Sequence, residues 1–165
     1  RSHRADPRAV AIADRHYNRQ KPGTPQFVPP GSCFVLVAAQ AVWVTSWPKA
    51  ECVRHAWAGA WVNSCFRREG GDVLASEMIR QAVSATRWFY GAPPNLGMVT
   101  FVDAGKVRRK RDPGRCYPRA GFRHAGETKG GLLAFQMLPE DMPESSEPNS
   151  AQIRLALDAA LGGTR

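Results

Sequence analysis

The sequence has no closely spaced pair of cysteines and no long hydrophobic run, and both absences restrict what the protein can be. The longest apolar stretch, residues 33–44, is too short to cross a bilayer. The cysteines form no C-x-x-C pair, which argues against a zinc site, and we expect no disulfide framework in a protein that is not secreted. We therefore expect no metal site and no membrane contact. The four cysteines are Cys33, Cys52, Cys65 and Cys116.

The N-terminal segment also lacks the hydrophobic core of a signal peptide, so we expect a soluble, cytoplasmic protein. Its 165 residues, 43% of them hydrophobic, suit one core-forming domain, which we place at residues 1–138. Residues 139–165 are acidic and contain prolines before an apolar stretch. This composition predicts a linker followed by a short terminal helix at 151–161.

Acidic residues are scarce, because 14 Asp and Glu stand against 23 Lys and Arg, which gives a net charge of +9. The last 27 residues hold five of the acids and only two cations, so residues 1–138 carry +12. A basic body with an acidic tail is typical of proteins that bind polyanions, either nucleic acid or a phosphate-rich cofactor. A merely solubilising surface would have the same composition.

Apolar periodicity predicts a mixed α+β fold, in which a mainly antiparallel sheet is flanked by helices. The only helix long enough for a crossover between parallel strands is expected at 72–90, where Leu74, Met78 and Ala82 recur four residues apart. Shorter helices are expected at 7–18 and from 112 onward. Strands are expected at 33–39, 41–47, 57–66, 97–103, 122–127 and 132–138.

A glycine-rich junction between the third strand and the long helix has the sequence Arg67-Arg68-Glu69-Gly70-Gly71-Asp72. Glycines allow consecutive backbone N–H groups to face one point, and a helix N-terminus adds partial positive charge. Such a junction can bind the pyrophosphate of a nucleotide-like cofactor. A simple reversal of the chain would use the same residues.

Two motifs resemble those of the GNAT acyltransferases. Their pyrophosphate motif, Gln/Arg-x-x-Gly-x-Gly/Ala, is matched by Arg67 and Gly70, with Asp72 in place of the last small residue. Their Tyr-x-x-x-Gly-Phe motif is similar to the segment 117–122. The resemblance covers residues 7–138 and implies a GNAT-like fold, acetyl-CoA or another acyl-CoA as cofactor, and Tyr117 as the acid that protonates the departing thiolate. The cofactor-binding residues that it implies are Phe66, Arg67, Arg68, Gly70 and Gly71.

Within that superfamily the chain is most similar to the Mom-type proteins of phages, which modify adenine N6 in phage DNA and protect it from restriction. The similar segments are 16–17, 68–70, 74–79, 100–103 and 114–122. The similarity implies DNA as a partner, the host-cell cytoplasm as location, and a set of active-site residues. These are His16, Tyr17, Asp103 and Tyr117.

The chemistry of these side chains fits acyl transfer to a weakly basic amine. A purine's exocyclic amine is conjugated to the ring, so it needs a base to remove its proton. Asp103, at the end of a strand, or His16, which titrates near neutral pH, could accept that proton. Each residue also has a structural interpretation, Asp103 as the cap of the following turn and His16 and Tyr117 as packing residues.

A basic segment separates Asp103 from Tyr117 and contains six cations and one acid within ten residues. Beside an active site, such cations would contact the phosphates of a nucleic-acid backbone, whereas elsewhere they would simply be solvated. One or two of the five tryptophans could stack on a base that is extruded from the duplex. The six cations are Lys106, Arg108, Arg109, Lys110, Arg111 and Arg115.

We therefore expect a Mom-like GNAT acyltransferase that modifies a base amine in DNA. Two alternatives stay open. One is an ordinary GNAT N-acetyltransferase that acts on a small amine or a protein. The other is a non-catalytic nucleic-acid-binding domain on a GNAT-like scaffold, which Asp72 favours, because a carboxylate opposes the binding of a pyrophosphate.

Overall fold

The structure is a computed structural model that describes residues 1–107 and 112–148. The helix expected at 151–161 and the cations Arg108 to Arg111 lie outside the described residues. The helices are α1 (Pro7–Ala13), α2 (Ala75–Tyr90) and α3 (Cys116–Ala120). The strands are β1 (Ser32–Ala38), β2 (Ala41–Trp47), β3 (Trp61–Arg68), β4 (Met98–Val102), β5 (Arg123–Glu127) and β6 (Leu133–Met137).

The six strands form one sheet in the order β1-β2-β3-β4-β6-β5. Only β3 and β4 are parallel, and every other neighbouring pair is antiparallel. A parallel pair needs a crossover connection, which α2 supplies, as the sequence predicts. The expected α+β class with a mixed, mainly antiparallel sheet is therefore confirmed.

The two parallel strands are paired over only three residues each and then separate. Asn63 opposite Thr100 is the last pair, although β3 continues to Arg68 and β4 to Val102. On its other side, β3 contains a bulge at Ser64, because the register with β2 shifts by one residue there. A bulge bends its strand and increases the local twist. The sheet is thus open between β3 and β4 at their carboxyl ends.

Side chains alternate between the two faces of the sheet, and different elements cover each face. On one face α2 and α3 pack on a core in which Trp61, Ile79 and Met98 are fully buried. On the other face, α1 and Phe27 cover β1 and β2. Trp57 covers β4 and β6 on that same face. The opening between β3 and β4 lies between these last two clusters.

The first helix ends at Ala13, so the expected end at residue 18 is wrong. The Asp14 carboxylate accepts hydrogen bonds from Arg19 Nε at 2.6 Å and from the Gly23 N–H at 2.8 Å. These bonds close a loop over residues 14–23, and they compete with continued helix because Asp favours such local bonds. His16 and Tyr17 consequently lie in this loop and not at the end of a helix.

Three other elements begin three or more residues later than the sequence predicts, and a glycine with a positive φ precedes each one. Gly59, Gly71 and Gly114 have φ values of +95°, +94° and +79°, which helices and regular strands do not accommodate. Strand β3 therefore begins at Trp61 and α3 at Cys116, whereas α2 begins at Ala75, four residues after Gly71.

Candidate functional site

The opening between β3 and β4 brings together three of the four residues that the sequence predicts to be catalytic. His16 and Tyr17 come from the loop after α1, and Tyr117 comes from α3. The last strand pair, Asn63 and Thr100, lies between them. The pocket at this opening is small and open to solvent, with a volume of about 20 Å³. Such a space holds about one water molecule.

Asn63 holds this opening together through four hydrogen bonds. Its amide nitrogen donates to the carbonyl oxygens of Val44 and Cys65, both at 3.0 Å. Its Oδ1 accepts from the Tyr117 hydroxyl at 2.8 Å and from Thr100 Oγ1 at 3.2 Å. Asn63 is only 4% exposed, so all four groups of the buried amide have partners. It fixes the end of the β3–β4 pairing to Tyr117.

Tyr117 is buried, and its ring packs against Phe66, Phe122 and Phe135. Burial raises the pKa of its phenol well above the usual range, so the hydroxyl keeps its proton under all ordinary conditions. That proton points to Asn63. Tyr117 is thus in the protonated form that an acid requires. Giving the proton to another acceptor would first require this hydrogen bond to break.

His16 is neutral at pH 7. Burial, and secondarily the nearby charge of Arg67, lower the pKa of its imidazole to about 4. Nδ1 accepts a hydrogen bond from the Asn18 N–H at 3.2 Å, which assigns the ring hydrogen to Nε2. The ring stacks on Tyr17 with centroids 4.4 Å apart. His16 would therefore present its Nε2–H to a substrate as a hydrogen-bond donor.

Asp103 lies directly after β4 and links the loop after α1 to the sheet. Its backbone N–H donates to the Tyr17 hydroxyl at 3.4 Å. Its carboxylate accepts from the Lys106 N–H at 3.1 Å, and Lys106 Nζ lies 3.6 Å from Oδ2. This is the turn-capping geometry that the sequence leaves open as an alternative. The side chain is 28% exposed, and its role as a base stays a prediction.

Two arginines from separate segments converge on Glu69. Arg15 contacts its carboxylate at 2.6 and 2.5 Å, and Arg67 Nε lies 2.8 Å from Oε1. These two guanidinium groups lower the pKa of Glu69 to about 2. The ion pairs fasten the loop that carries His16 to the end of β3. Arg67 is therefore already paired, and Arg68 donates to the Gly71 carbonyl oxygen.

The glycine-rich junction presents unpaired backbone donors. Among the residues that the structure describes, no acceptor binds the N–H groups of Gly70, Gly71, Asp72 or Val73. The first turn of α2 has no side-chain cap either, since its N-cap residue is Leu74. These donors suit an anion such as a pyrophosphate. The exposed carboxylate of Asp72 lies in the same loop and opposes it.

The described cations of the basic segment adjoin two of the predicted site residues, Asp103 and Tyr117. Lys106 contacts Asp103, and Arg115 precedes α3, two residues before Tyr117. Both side chains are exposed, so they are available to a large anion. Two tryptophans are exposed, Trp47 at the end of β2 and Trp88 near the end of α2. Both lie at the opposite end of the sheet, so neither is placed to stack on a base at this opening.

Sequence reasoning missed Asn63 and Thr100 as site residues. A signal was present, because each is a polar residue within an otherwise apolar strand, where burial demands a hydrogen-bond partner. The bulge at Ser64, which turns the strand away, has no comparable signature in the sequence.

In the described ranges, 1–107 and 112–148, no group of three or more His, Cys, Asp or Glu side chains is arranged to hold a metal ion. No helix within those ranges is long and apolar enough to cross a membrane. Comparison of the chain with protein-family models, with curated proteins and with solved structures finds no match.

Proposed function

We propose that the protein is a GNAT-fold acyltransferase and that the opening between β3 and β4 is its active site. One observation carries this proposal. His16, Tyr17 and Tyr117, which the resemblance selects from distant segments, meet where the two parallel strands separate. A packing role for each residue separately would not require them to converge.

Acyl-CoA, when bound, would supply a thioester whose acyl group passes to the amine. The unpaired N–H groups of Gly70 to Val73 and the uncapped start of α2 fit its pyrophosphate. Phe66 lies between this loop and Tyr117, with its ring centroid 6.5 Å from that of the tyrosine. The junction and the opening would thus hold opposite parts of one cofactor.

The residues in and beside the opening would then divide the chemistry that a bound acyl-CoA supplies. Asp103, directly after β4, would accept the proton that the amine loses, and Tyr117 would give a proton to the departing sulfur. The products would be an amide and a free thiol, and exchange with solvent would remove the proton from Asp103 and return one to Tyr117. His16 donates Nε2–H to the carbonyl oxygen, where negative charge develops. Tyr17 positions Asp103 through its backbone N–H.

We propose a base amine of DNA, adenine N6, as the acceptor. The proposal is supported by the net charge of +12 on residues 1–138. It is also supported by two exposed cations, Lys106 next to Asp103 and Arg115 at the start of α3. A paired adenine hides its amine, so the base must leave the duplex, and single-stranded or mismatched sites should react faster. The proposed modification would protect phage DNA from restriction.

A second candidate is acetylation of a small amine, and the size of the site favours it. A space of about 20 Å³ cannot hold a purine unless the loop that carries His16 and Tyr17 moves. A small aliphatic amine requires less displacement.

The test of the proposed reaction is nucleoside mass spectrometry on DNA from cells that express the protein. We expect a new adenosine derivative with wild type and its loss with Tyr117→Phe. Tyr90→Phe is the matched control, because the Tyr90 hydroxyl bonds to Ser32 at the far end of the sheet. An unchanged nucleoside profile together with acetylation of free amines in vitro would contradict modification of DNA and support acetylation of a small amine.

Cofactor binding has a separate test, which is thermal protection by acetyl-CoA. Removing the charge with Asp72→Asn should increase the protection, because the carboxylate repels the pyrophosphate. Glu140→Gln, which removes an exposed charge elsewhere, should leave it unchanged. Absence of protection in wild type and in Asp72→Asn would contradict an acyl-CoA cofactor.

A further inference from the structure

Loss of its proton would leave the buried oxygen of Tyr117 facing an acceptor. The phenol donates to Asn63 Oδ1 at 2.8 Å, and an amide oxygen can only accept. Once the proton has left, this contact sets a lone pair against a phenolate. The Asn63 amide nitrogen cannot take over, because it is held by the carbonyl oxygens of Val44 and Cys65, both at 3.0 Å. A buried phenolate therefore needs another donor.

The Thr100 hydroxyl lies where such a donor is required. Thr100 is 2% exposed and pairs with Asn63 at the last position shared by β3 and β4. Its Oγ1 lies 3.2 Å from Asn63 Oδ1, the same oxygen that binds the Tyr117 hydroxyl, and 3.2 Å from the Asn63 carbonyl oxygen. Both distances are longer than is usual for an O–H···O bond, and one hydrogen serves both acceptors. Turning that hydrogen toward Tyr117 therefore breaks no strong bond.

The influences on the pKa of the phenol agree with this geometry. Burial raises the pKa of Tyr117 well above its ordinary value, whereas hydrogen bonding by the Thr100 side chain lowers it. Three titratable groups also face the hydroxyl, and each raises the pKa of the phenol when it is ionised. They are Cys116, Tyr17 and Cys65. The Thr100 hydroxyl therefore opposes burial and these three groups.

We infer that Thr100 is a positioning residue, whose hydroxyl turns from Asn63 to the Tyr117 oxygen as the phenol gives up its proton. This inference rests on the proposed function, in which Tyr117 is the acid. Thr100 keeps its own proton and stabilises the phenolate through a hydrogen bond. The proton that Tyr117 loses goes to the departing sulfur, and exchange with solvent restores it. Asn63 thus holds the neutral phenol, and Thr100 holds the anion.

A fluorinated tyrosine at position 117 of the full chain tests this arrangement by ¹⁹F NMR. Fluorine on the ring lowers the pKa of a phenol, which brings its titration into an accessible range of pH. Thr100→Val keeps the shape of the side chain and removes the hydroxyl, so it should raise the pKa of this phenol by about 1. Thr100→Ser should restore the value of the unsubstituted protein, and Thr100→Cys, a weaker donor, should lie between the two.

The matched control is Thr86→Val, which removes a different buried threonine hydroxyl, one that contacts Thr45 and the Ala82 carbonyl oxygen. Both valine variants should lower the urea midpoint of unfolding. Only Thr100→Val should raise the pKa and reduce turnover, by up to about tenfold, since one pKa unit corresponds to a factor of ten. Equal results in the two variants, or a pKa that Thr100→Ser does not restore, would overturn the inference.

The pKa and the turnover separate this inference from the proposed function. Acyl transfer by wild type, together with an unchanged pKa in Thr100→Val, would overturn the inference alone. A raised pKa in Thr100→Val without acyl transfer by wild type would contradict the proposed function, and with it any role of Thr100 in that reaction.

Discussion

The neutral state of His16 predicts how stability depends on pH. Its pKa is about 4 in the folded protein and 6.5 in the unfolded chain, because burial and Arg67 disfavour the imidazolium. Between these two values the unfolded state binds more protons than the folded state. Stability must therefore fall as the pH drops through this window. Protonation would also replace the bond from the Asn18 N–H to Nδ1 by a clash of two donors.

The size of the effect follows from the two pKa values. For one such group, the free energy of unfolding should be about 2 kcal/mol lower at about pH 4.5 than at pH 6.5. His55 contributes in the same direction, since burial also lowers its pKa, so wild type alone cannot isolate His16. The substitution His16→Gln removes the titration and keeps a polar side chain at the position.

The assay is urea unfolding of wild type, His16→Gln and His55→Gln at the two pH values. We expect His16→Gln to lose about 2 kcal/mol less than wild type on acidification. His55→Gln should also lose less than wild type, but by a smaller amount, because the pKa of His55 is lowered less than that of His16. An identical loss in wild type and His16→Gln would refute the reasoning, because it would mean that the imidazole is not desolvated in the folded protein.

Three further predictions concern the opening and its surroundings. Tyr117→Phe should reduce turnover by roughly 10²-fold and cost about 1 kcal/mol of stability, measured by steady-state kinetics and urea unfolding, whereas a packing role alone would leave turnover unchanged. Asn63→Asp should destabilise the protein by about 3 kcal/mol or more, because a buried carboxylate would face the carbonyl oxygens of Val44 and Cys65, and an unchanged urea midpoint would contradict the observed network. Lys106→Gln should reduce the slope of log affinity for DNA against log salt by about one unit, and an equal change in Lys49→Gln would show that the effect is not local.

The order of strands and helices was predictable because apolar periodicity reports burial directly. The boundaries of the helices were less predictable from the sequence, as the early end of α1 shows. Nothing in the pattern of Val10 and Tyr17 reveals that Asp14 turns to bind Arg19 and Gly23, since those bonds depend on where the later loop folds. The early end of this helix matters for the proposed active site, because it places Tyr17 within reach of Asp103.

The candidate site was predictable only through the resemblance, and its construction was not predictable at all. Composition and spacing contain no information that Tyr117 would meet Asn63, which is 54 residues earlier in the chain. That contact depends on a parallel pairing that stops after three residues and on a bulge at Ser64. Both features arise from tertiary packing, where the register of β3 against β2 and β4 is decided.

Two properties of the opening, its small size and the hydrogen bond of Tyr117, restrict how the proposed reaction can occur. The space is too small for a purine, and the proton of Tyr117 is bound to Asn63. Entry of an acceptor must displace the loop that carries His16 and Tyr17, which is fastened across the opening by Arg15 to Glu69 and by Tyr17 to Asp103. The Arg15–Glu69 ion pair is partly exposed, and such pairs contribute little to stability. The proposed reaction therefore requires two separate changes: the loop must be displaced to admit the acceptor, and the hydrogen bond from Tyr117 to Asn63 must break before Tyr117 can give its proton to the departing sulfur.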